Sequence, residues 1–209
     1  MLSGALHKVK KYKEVIMRII LASGSPRRKE ILSNAGYEFE IIKSEKEEII
    51  TKTVPADVVK ELSSVKAEDV ETRLSGDGDY MIIGADTVVA VDDAILGKPH
   101  DRTDAYNMIS KLSGREHKVY TGVTVIINRD GDRKEIVFAA ETKVTVASMS
   151  RDEIEEYISL DEPYDKAGAY AIQGKFAKYI TSIDGEYNNV VGFPIAAFYK
   201  VLKDNNCIL

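Results

Sequence analysis

The sequence predicts an α/β protein built around a mixed sheet, and three observations predict it. Apolar strand-like runs alternate with segments of helical period, hairpin turns interrupt that alternation, and 209 residues at 44% apolar suffice for one folded core. The chain contains neither an internal repeat nor a low-complexity segment.

Residues 19–22 (Ile-Ile-Leu-Ala) read as a buried strand. Ser25-Pro26 then opens a helix, with the serine as N-cap and the proline at the first helical position. It runs to about Asn34 and stops near Gly36. Residues 39–42 form a second strand, and the charged stretch 44–53 is a loop. Pro55 starts a long helix to about Thr72, and residues 75–79 (Ser-Gly-Asp-Gly-Asp) make a turn. Residues 81–91 are a long apolar strand ending at a hairpin turn, Asp92-Asp93. A helix over 103–112 carries Ala105, Met108, Ile109 and Leu112 at helical spacing, with Gly114 at its end. Residues 119–128 and 135–147 form a hairpin around Arg129-Asp-Gly-Asp132. Ser150 and Glu153 make a capping box for a helix through Ile158. Residues 162–174 read as an irregular loop, a hairpin from Phe176 turns at Asp184-Gly185, and Pro194 opens the last helix.

A net charge of −5 offers no general attraction to nucleic acid or to an anionic membrane, so any anion site must be built locally from a few Lys and Arg. A single cysteine, Cys207, precludes an internal disulfide and suits a reducing compartment, the cytoplasm. No apolar run approaches the ~20 residues that span a bilayer. Residues 1–17 read as a basic leader without a signal peptide's apolar centre, and no role is assigned to it. Residues 18–209 read as one domain.

Four features break a local rule. Arg27, Arg28 and Lys29 fall in the first turn of a helix, where each cation opposes the helix dipole at roughly 0.3–1 kcal/mol. A strand, a Gly/Ser turn and a helix N-terminus there suit an anion, and a solvated basic turn is the plainer alternative. Lys66 lies in an apolar stripe with Val59, Leu62 and Val70, so it either snorkels to water or meets a buried anion. Asp86 interrupts the apolar run 81–91 and needs a partner, a metal or a place at the strand's mouth. A three-residue turn pairs Asp86 with Lys98, whereas a two-residue turn pairs Thr87 with Lys98. The stretch 162–174, with its charges, tyrosines and glycines, suits a binding loop, and Gln173 in it either reads a base edge or caps a turn. The histidines lack metal-ligand spacing, and neither a P-loop nor a dinucleotide fingerprint is present.

Together, Leu21-Ala-Ser-Gly-Ser-Pro-Arg-Arg-Lys-Glu-Ile-Leu32, Ile83-Gly-Ala-Asp-Thr-Val-Val89, Leu96-Gly-Lys-Pro99, Thr121-Gly-Val123, Asp165-Lys-Ala-Gly-Ala-Tyr170, Ile172-Gln-Gly174 and Val190-Val-Gly-Phe-Pro194 resemble the Maf family of nucleotide pyrophosphatases, in the family's order. The resemblance implies an elongated mixed sheet with flanking helices and two lobes around a central cleft, as in inosine triphosphate pyrophosphatases. It also implies a homodimer that cuts nucleoside triphosphates between the α- and β-phosphates. The tyrosine and glutamine of residues 168–174 resemble the subgroup acting on dTTP and UTP. By the same resemblance Ser23, Arg27 and Arg28 bind phosphate, Lys66 and Lys98 belong to the catalytic site, and Gln173 lies near the base. Asp86 is catalytic and, with Glu48 or its neighbour Glu47, holds a divalent metal cation such as Mg2+ or Mn2+. Other implied readings are a pyrophosphatase for other or modified nucleotides and a nucleotide-binding regulator of cell division. An intact Asp86 with Lys66 and Lys98 favours catalysis.

Overall fold

Where both faces of a strand are covered, its sequence runs apolar without alternation. That is the case for β1 (Arg18–Leu21), whose Ile19, Ile20 and Leu21 are all buried between parallel neighbours. The computed structural model describes residues 17–74, 78–92 and 94–207. After β1 come α1 (Pro26–Asn34), β2 (Glu40–Ile41), α2 (Pro55–Arg73), β3 (Tyr80–Val91), β4 (Ala94–Leu96), α3 (Arg102–Leu112), β5 (Glu116–Arg129) and β6 (Asp132–Val146). The chain closes with α4 (Arg151–Ile158), β7 (Ile180–Asp184), α5 (Tyr187–Val191) and α6 (Ile195–Asp204).

The sheet order is β2-β1-β3-β5-β6-β7, with β4 also on β3. The β1 pairings are parallel and all others antiparallel, so the sheet is mixed and flanked by helices, as expected. Side chains alternate across it. Ile20, Ile82 and Ile126 meet Ala67 and Val70 of α2 on one face. Ile19, Leu21, Ile83 and Val125 join the other helices in the larger cluster on the opposite face.

One detail of the topology positions everything that follows. β5 pairs with β3 from Tyr80 to Ala90, so β1 and β4 must share the remaining edge of β3. β1 covers Tyr80 to Ile83 and β4 covers Val89 to Val91. Residues 84–88 are left without a strand partner on that edge. The gap opens beyond the carboxyl end of β1, where open α/β sheets bind ligands.

Several sequence expectations change here. Ser25 stands at the N-cap of α1 without a side-chain cap bond; its backbone N–H instead donates to the Ser23 hydroxyl at 3.3 Å. Residues 162–174 contain short 3-10 turns at Glu162–Asp165 and Ala167–Ala169. The hairpin expected from Phe176 is absent among the described residues. Phe176 and Tyr179 are three apart, a helical spacing, and both are buried in a third 3-10 turn, Lys175–Tyr179. Only β7 follows, pairing with β6, and after Gly185 the chain enters α5. Of the expected turn 75–79, residues 75–77 lie outside the described residues, as does Asp93 and the leader up to residue 16. The capping box of α4 is present.

Candidate active site

Consecutive residues of a strand point to opposite faces. At the gap in β3, Asp86 therefore faces α2 while Thr87 faces α1 and α5. Two glycines bring α2 close enough to meet Asp86. A Cβ on Gly84 would lie 2.3 Å from the Ser63 carbonyl oxygen, and one on Gly122, the register partner of Asp86, would lie 2.2 Å from that of Val59. No side chain fits between sheet and helix at either point.

Lys66 of α2 consequently does not snorkel. Its Nζ lies 2.5 Å from Asp86 Oδ1 and 3.0 Å from Glu48 Oε1, and its side chain is 14% exposed. Glu48 comes from the loop between β2 and α2 and is half-exposed. It is Glu48, not Glu47, that meets the lysine. The register Val91↔Ala94 selects the two-residue hairpin, so Lys98 falls past the end of β4 and is exposed. No ion pair joins Lys98 to Asp86 among the described residues; Asp86 is paired with Lys66.

On the other face the Ser23 turn and the first turn of α1 meet β3. Arg28 is nine-tenths buried. Its Nε donates to the Gly192 carbonyl at 2.9 Å, NH1 to Ser23 Oγ at 3.0 Å and NH2 to Thr87 Oγ1 at 3.0 Å. Among the described residues no carboxylate lies within salt-bridge distance of it. A guanidinium has five N–H donors, so two are left without an acceptor among the described residues. Burial pushes its pKa below the ordinary arginine value, while the Asp86 charge pulls it back up, with Arg27 lowering it and Glu48 raising it. The carboxylate face and the guanidinium face are thus near enough to act on one another electrostatically.

Arg27 is half-buried, and Lys98 and Gln173 are exposed. None of these three makes a side-chain hydrogen bond or ion pair among the described residues. The segment of Lys98 is tied to that of Gln173: the Gly168 N–H donates to the Gly97 carbonyl at 2.9 Å. Glu162 holds the same loop from below, accepting from Tyr157 Oη at 2.9 Å and from the Lys175 N–H at 3.0 Å. Buried His117 bonds Tyr170 Oη through Nε2 at 2.8 Å, and burial pushes its pKa down to about 4.

Sequence reasoning missed Thr87, Thr121, Gly192, Glu162 and Asn189. A signal existed for three of them: Thr87, Thr121 and Gly192 lie in the quoted motifs Ile83-Gly-Ala-Asp-Thr-Val-Val89, Thr121-Gly-Val123 and Val190-Val-Gly-Phe-Pro194.

The donor set bears on a metal. Asp86 and Glu48 already converge on one point that carries a cation, and both offer the hard oxygen ligands that magnesium takes. Among the described residues no group of three or more His, Cys, Asp or Glu could hold a metal. Two carboxylates fit an ion whose remaining ligands are water and substrate phosphates. No helix is long and apolar enough to cross a membrane among the described residues.

Comparison with known proteins gives the same direction. A family model described as Maf-like protein matches residues 18–205. A dTTP/UTP pyrophosphatase from Lachnoclostridium phytofermentans is 49% identical over 187 residues, covering 89% of this chain and 94% of its own. One from Agathobacter rectalis is 49% identical over 197 residues, covering 89% and 96%. One from Thermoanaerobacter sp. (strain X514) is 46% identical over 187 residues, covering 90% and 96%. A solved nucleoside-triphosphatase (dITP/XTP pyrophosphatase) from Mycobacterium abscessus overlaps 64% of this chain and 76% of its own at 16% identity and a TM-score of 0.40, too slight a likeness to argue from.

Proposed function

The chain belongs to the Maf family, and on that premise we propose that it hydrolyses dTTP and UTP between the α- and β-phosphates, releasing a nucleoside monophosphate and pyrophosphate. The observation that carries this reading is Arg28: a buried guanidinium that, among the described residues, is held by neutral acceptors alone and keeps two N–H groups to spare, within the electrostatic reach of Asp86 and Glu48. A protein that buries an uncompensated cation at a helix N-terminus supports an anion there.

In this reading Ser23, Arg27 and Arg28 bind the phosphates, and Lys98 approaches them from the end of β4. Gln173 reads the base from the loop held by Glu162. Asp86 and Glu48 would hold a divalent cation, whose charge would polarise the α-phosphate and acidify the attacking water. Asp86 accepts the proton of that water as it attacks the α-phosphorus, and the α–β bridging oxygen leaves with pyrophosphate. Lys66 balances Asp86 and Glu48 before substrate arrives and phosphate charge afterwards. Residues 18–209 act as one domain, in a homodimer and in the cytoplasm.

The test is incubation of purified protein with a panel of triphosphates, with and without magnesium, resolving nucleotides and pyrophosphate by chromatography. The expected result is metal-dependent monophosphate and pyrophosphate from dTTP and UTP. Release of a diphosphate and orthophosphate would sink the α–β assignment. Turnover of other or modified nucleotides alone would reassign the base specificity, and no turnover at all would leave nucleotide-binding regulation as the reading.

A further inference from the structure

Two of the groups that hold Arg28, Thr87 and the Gly192 carbonyl, have no part in the proposed reaction. Thr87 and Thr121 are cross-strand register partners on β3 and β5, and their hydroxyls lie 2.9 Å apart. Thr121 Oγ1 lies 3.2 Å from the Asn189 carbonyl oxygen. Asn189 is fully buried, and the two protons of its side-chain amide are shared among Thr142 Oγ1 at 3.0 Å, the Val119 carbonyl at 3.1 Å and the Ala140 carbonyl at 3.3 Å. These bonds pin α5 to the sheet. The same short helix ends at Gly192, whose φ of +129° turns the chain and whose carbonyl takes Arg28 Nε.

The proton direction along these groups follows from donor chemistry and distance. A guanidinium only donates, so Thr87 accepts from Arg28 NH2. Either hydroxyl of the Thr87–Thr121 pair can be the donor at 2.9 Å. With Thr121 donating to the Asn189 carbonyl at 3.2 Å and Thr87 to Thr121, the contacts used are shorter than in the alternative, where Thr87 turns to the Gly192 carbonyl at 3.4 Å. Every bond points away from the cation, so each dipole lies favourably in its field. Thr121 is fully buried, and its side-chain hydrogen bonds among the described residues are with Thr87 and the Asn189 carbonyl.

We propose that Thr121 is a positioning residue: the relay Arg28–Thr87–Thr121–Asn189 fixes the plane of the Arg28 guanidinium, and with it the aim of the two N–H groups left for phosphate. This rests on the reading of Arg28 as a phosphate ligand. Preorganised charge of this kind acts on the transition state, where small misplacement is costly.

The test compares the native protein with Thr121→Val, which keeps the shape and deletes the hydroxyl, and with Thr121→Ser, which keeps the hydroxyl. The first readout needs no substrate. In nitrogen-15 NMR the Arg28 guanidinium should show restricted rotation in the native protein and in Thr121→Ser, and averaged signals in Thr121→Val. The second is the kinetic split on dTTP with magnesium. Thr121→Val should lose about tenfold or more in kcat with little change in KM, because the charge stays and only its aim is lost. Thr121→Ser should restore the native kcat. A Thr121→Val protein with a lower melting temperature but native guanidinium signals and native kcat would overturn the proposal and make Thr121 structural. Averaged signals in the native protein would overturn it too. Restricted native signals that Thr121→Val averages, with no turnover by any form, would instead remove the phosphate reading while leaving the relay in place.

Discussion

Replacing Asp86 by asparagine separates chemistry from structure at one atom. The shape is kept, the negative charge is lost, and the amide oxygen still accepts from Lys66. If Asp86 takes the water proton or holds the metal, the rate should fall by roughly 10²-fold or more, the size of a lost general base. The stability cost follows from the surroundings. Breaking a fully buried ion pair costs about 3–5 kcal/mol, and an exposed one up to about 1 kcal/mol. Lys66 is 14% exposed and keeps Glu48 at 3.0 Å after the change, so the cost should lie near the lower figure, about 1–2 kcal/mol. For a chain of this size that is roughly 2–8 °C in melting temperature. The assay is steady-state pyrophosphate release with saturating magnesium, beside a thermal melt of the same preparation. A near-native rate with a melting temperature lowered by this amount would show that Asp86 serves only Lys66, and the catalytic assignment would fall.

Three further outcomes are expected. Lys66→Met should tighten Mn2+ binding in the absence of nucleotide by roughly tenfold, the equivalent of ~1.4 kcal/mol, because the ammonium between Asp86 and Glu48 no longer competes; calorimetry showing weaker or equal binding would refute this. His117 has a folded pKa of about 4 against an ordinary 6.5, so its contribution is intact above pH 6.5 and is lost as pH falls toward 4. The loss is about 3 kcal/mol, and His117→Gln should flatten denaturant stability across that window, whereas parallel native and variant curves would contradict it. Gly84→Ala would place a Cβ 2.3 Å from the Ser63 carbonyl oxygen, and the forced shift of α2 should cost about 1–3 kcal/mol and slow turnover; a native melt and rate would show that α2 is not held there.

Local rules made much of this protein legible in its sequence. Periodicity and turn chemistry located β1, the long helix after Pro55, β3, the β5–β6 hairpin and the capping box of α4. Asp86, Lys66 and the Arg-Arg turn stood out because each breaks a local preference, and the structure gathers Lys66, Asp86 and Glu48 at one point. What stayed hidden depends on contacts distant in sequence. Thr87 and Thr121 are 34 residues apart and meet only through the β3–β5 register. Phe176 and Tyr179 fall inside the stretch that reads as a hairpin, and their helical spacing of three marks a single short turn, buried in a cluster with Tyr170 and the more distant Tyr157. Arg28 was legible as a cation at a helix N-terminus, which predicts relief when it is removed. Its burial and three hydrogen bonds oppose that relief, since Arg28→Ala would remove one hydrogen bond each from the Gly192 carbonyl, Ser23 Oγ and Thr87 Oγ1.

A chain of net charge −5 cannot draw in a triphosphate by its overall field, so local geometry must do so. The device is the gap in β3. Because β1 ends at Leu21 and β4 begins its pairing only at Val89, residues 84–88 of one rigid strand, Asp86 and Thr87 among them, are open at that edge. The pleat sends Asp86 to α2 and Thr87 to α1 and α5. One strand therefore sets the distance between the carboxylate side, which Lys66 keeps balanced, and the guanidinium side, which Thr87 orients. Neither side can drift without the other, since both hang on adjacent residues of a strand paired along β5 from Tyr80 to Ala90. A one-residue slip of β3 would exchange the two faces at once, and the same slip would turn Ile82 and Ile83 out of their separate cores. Core packing on the two sides of the sheet thus fixes the register that the site requires.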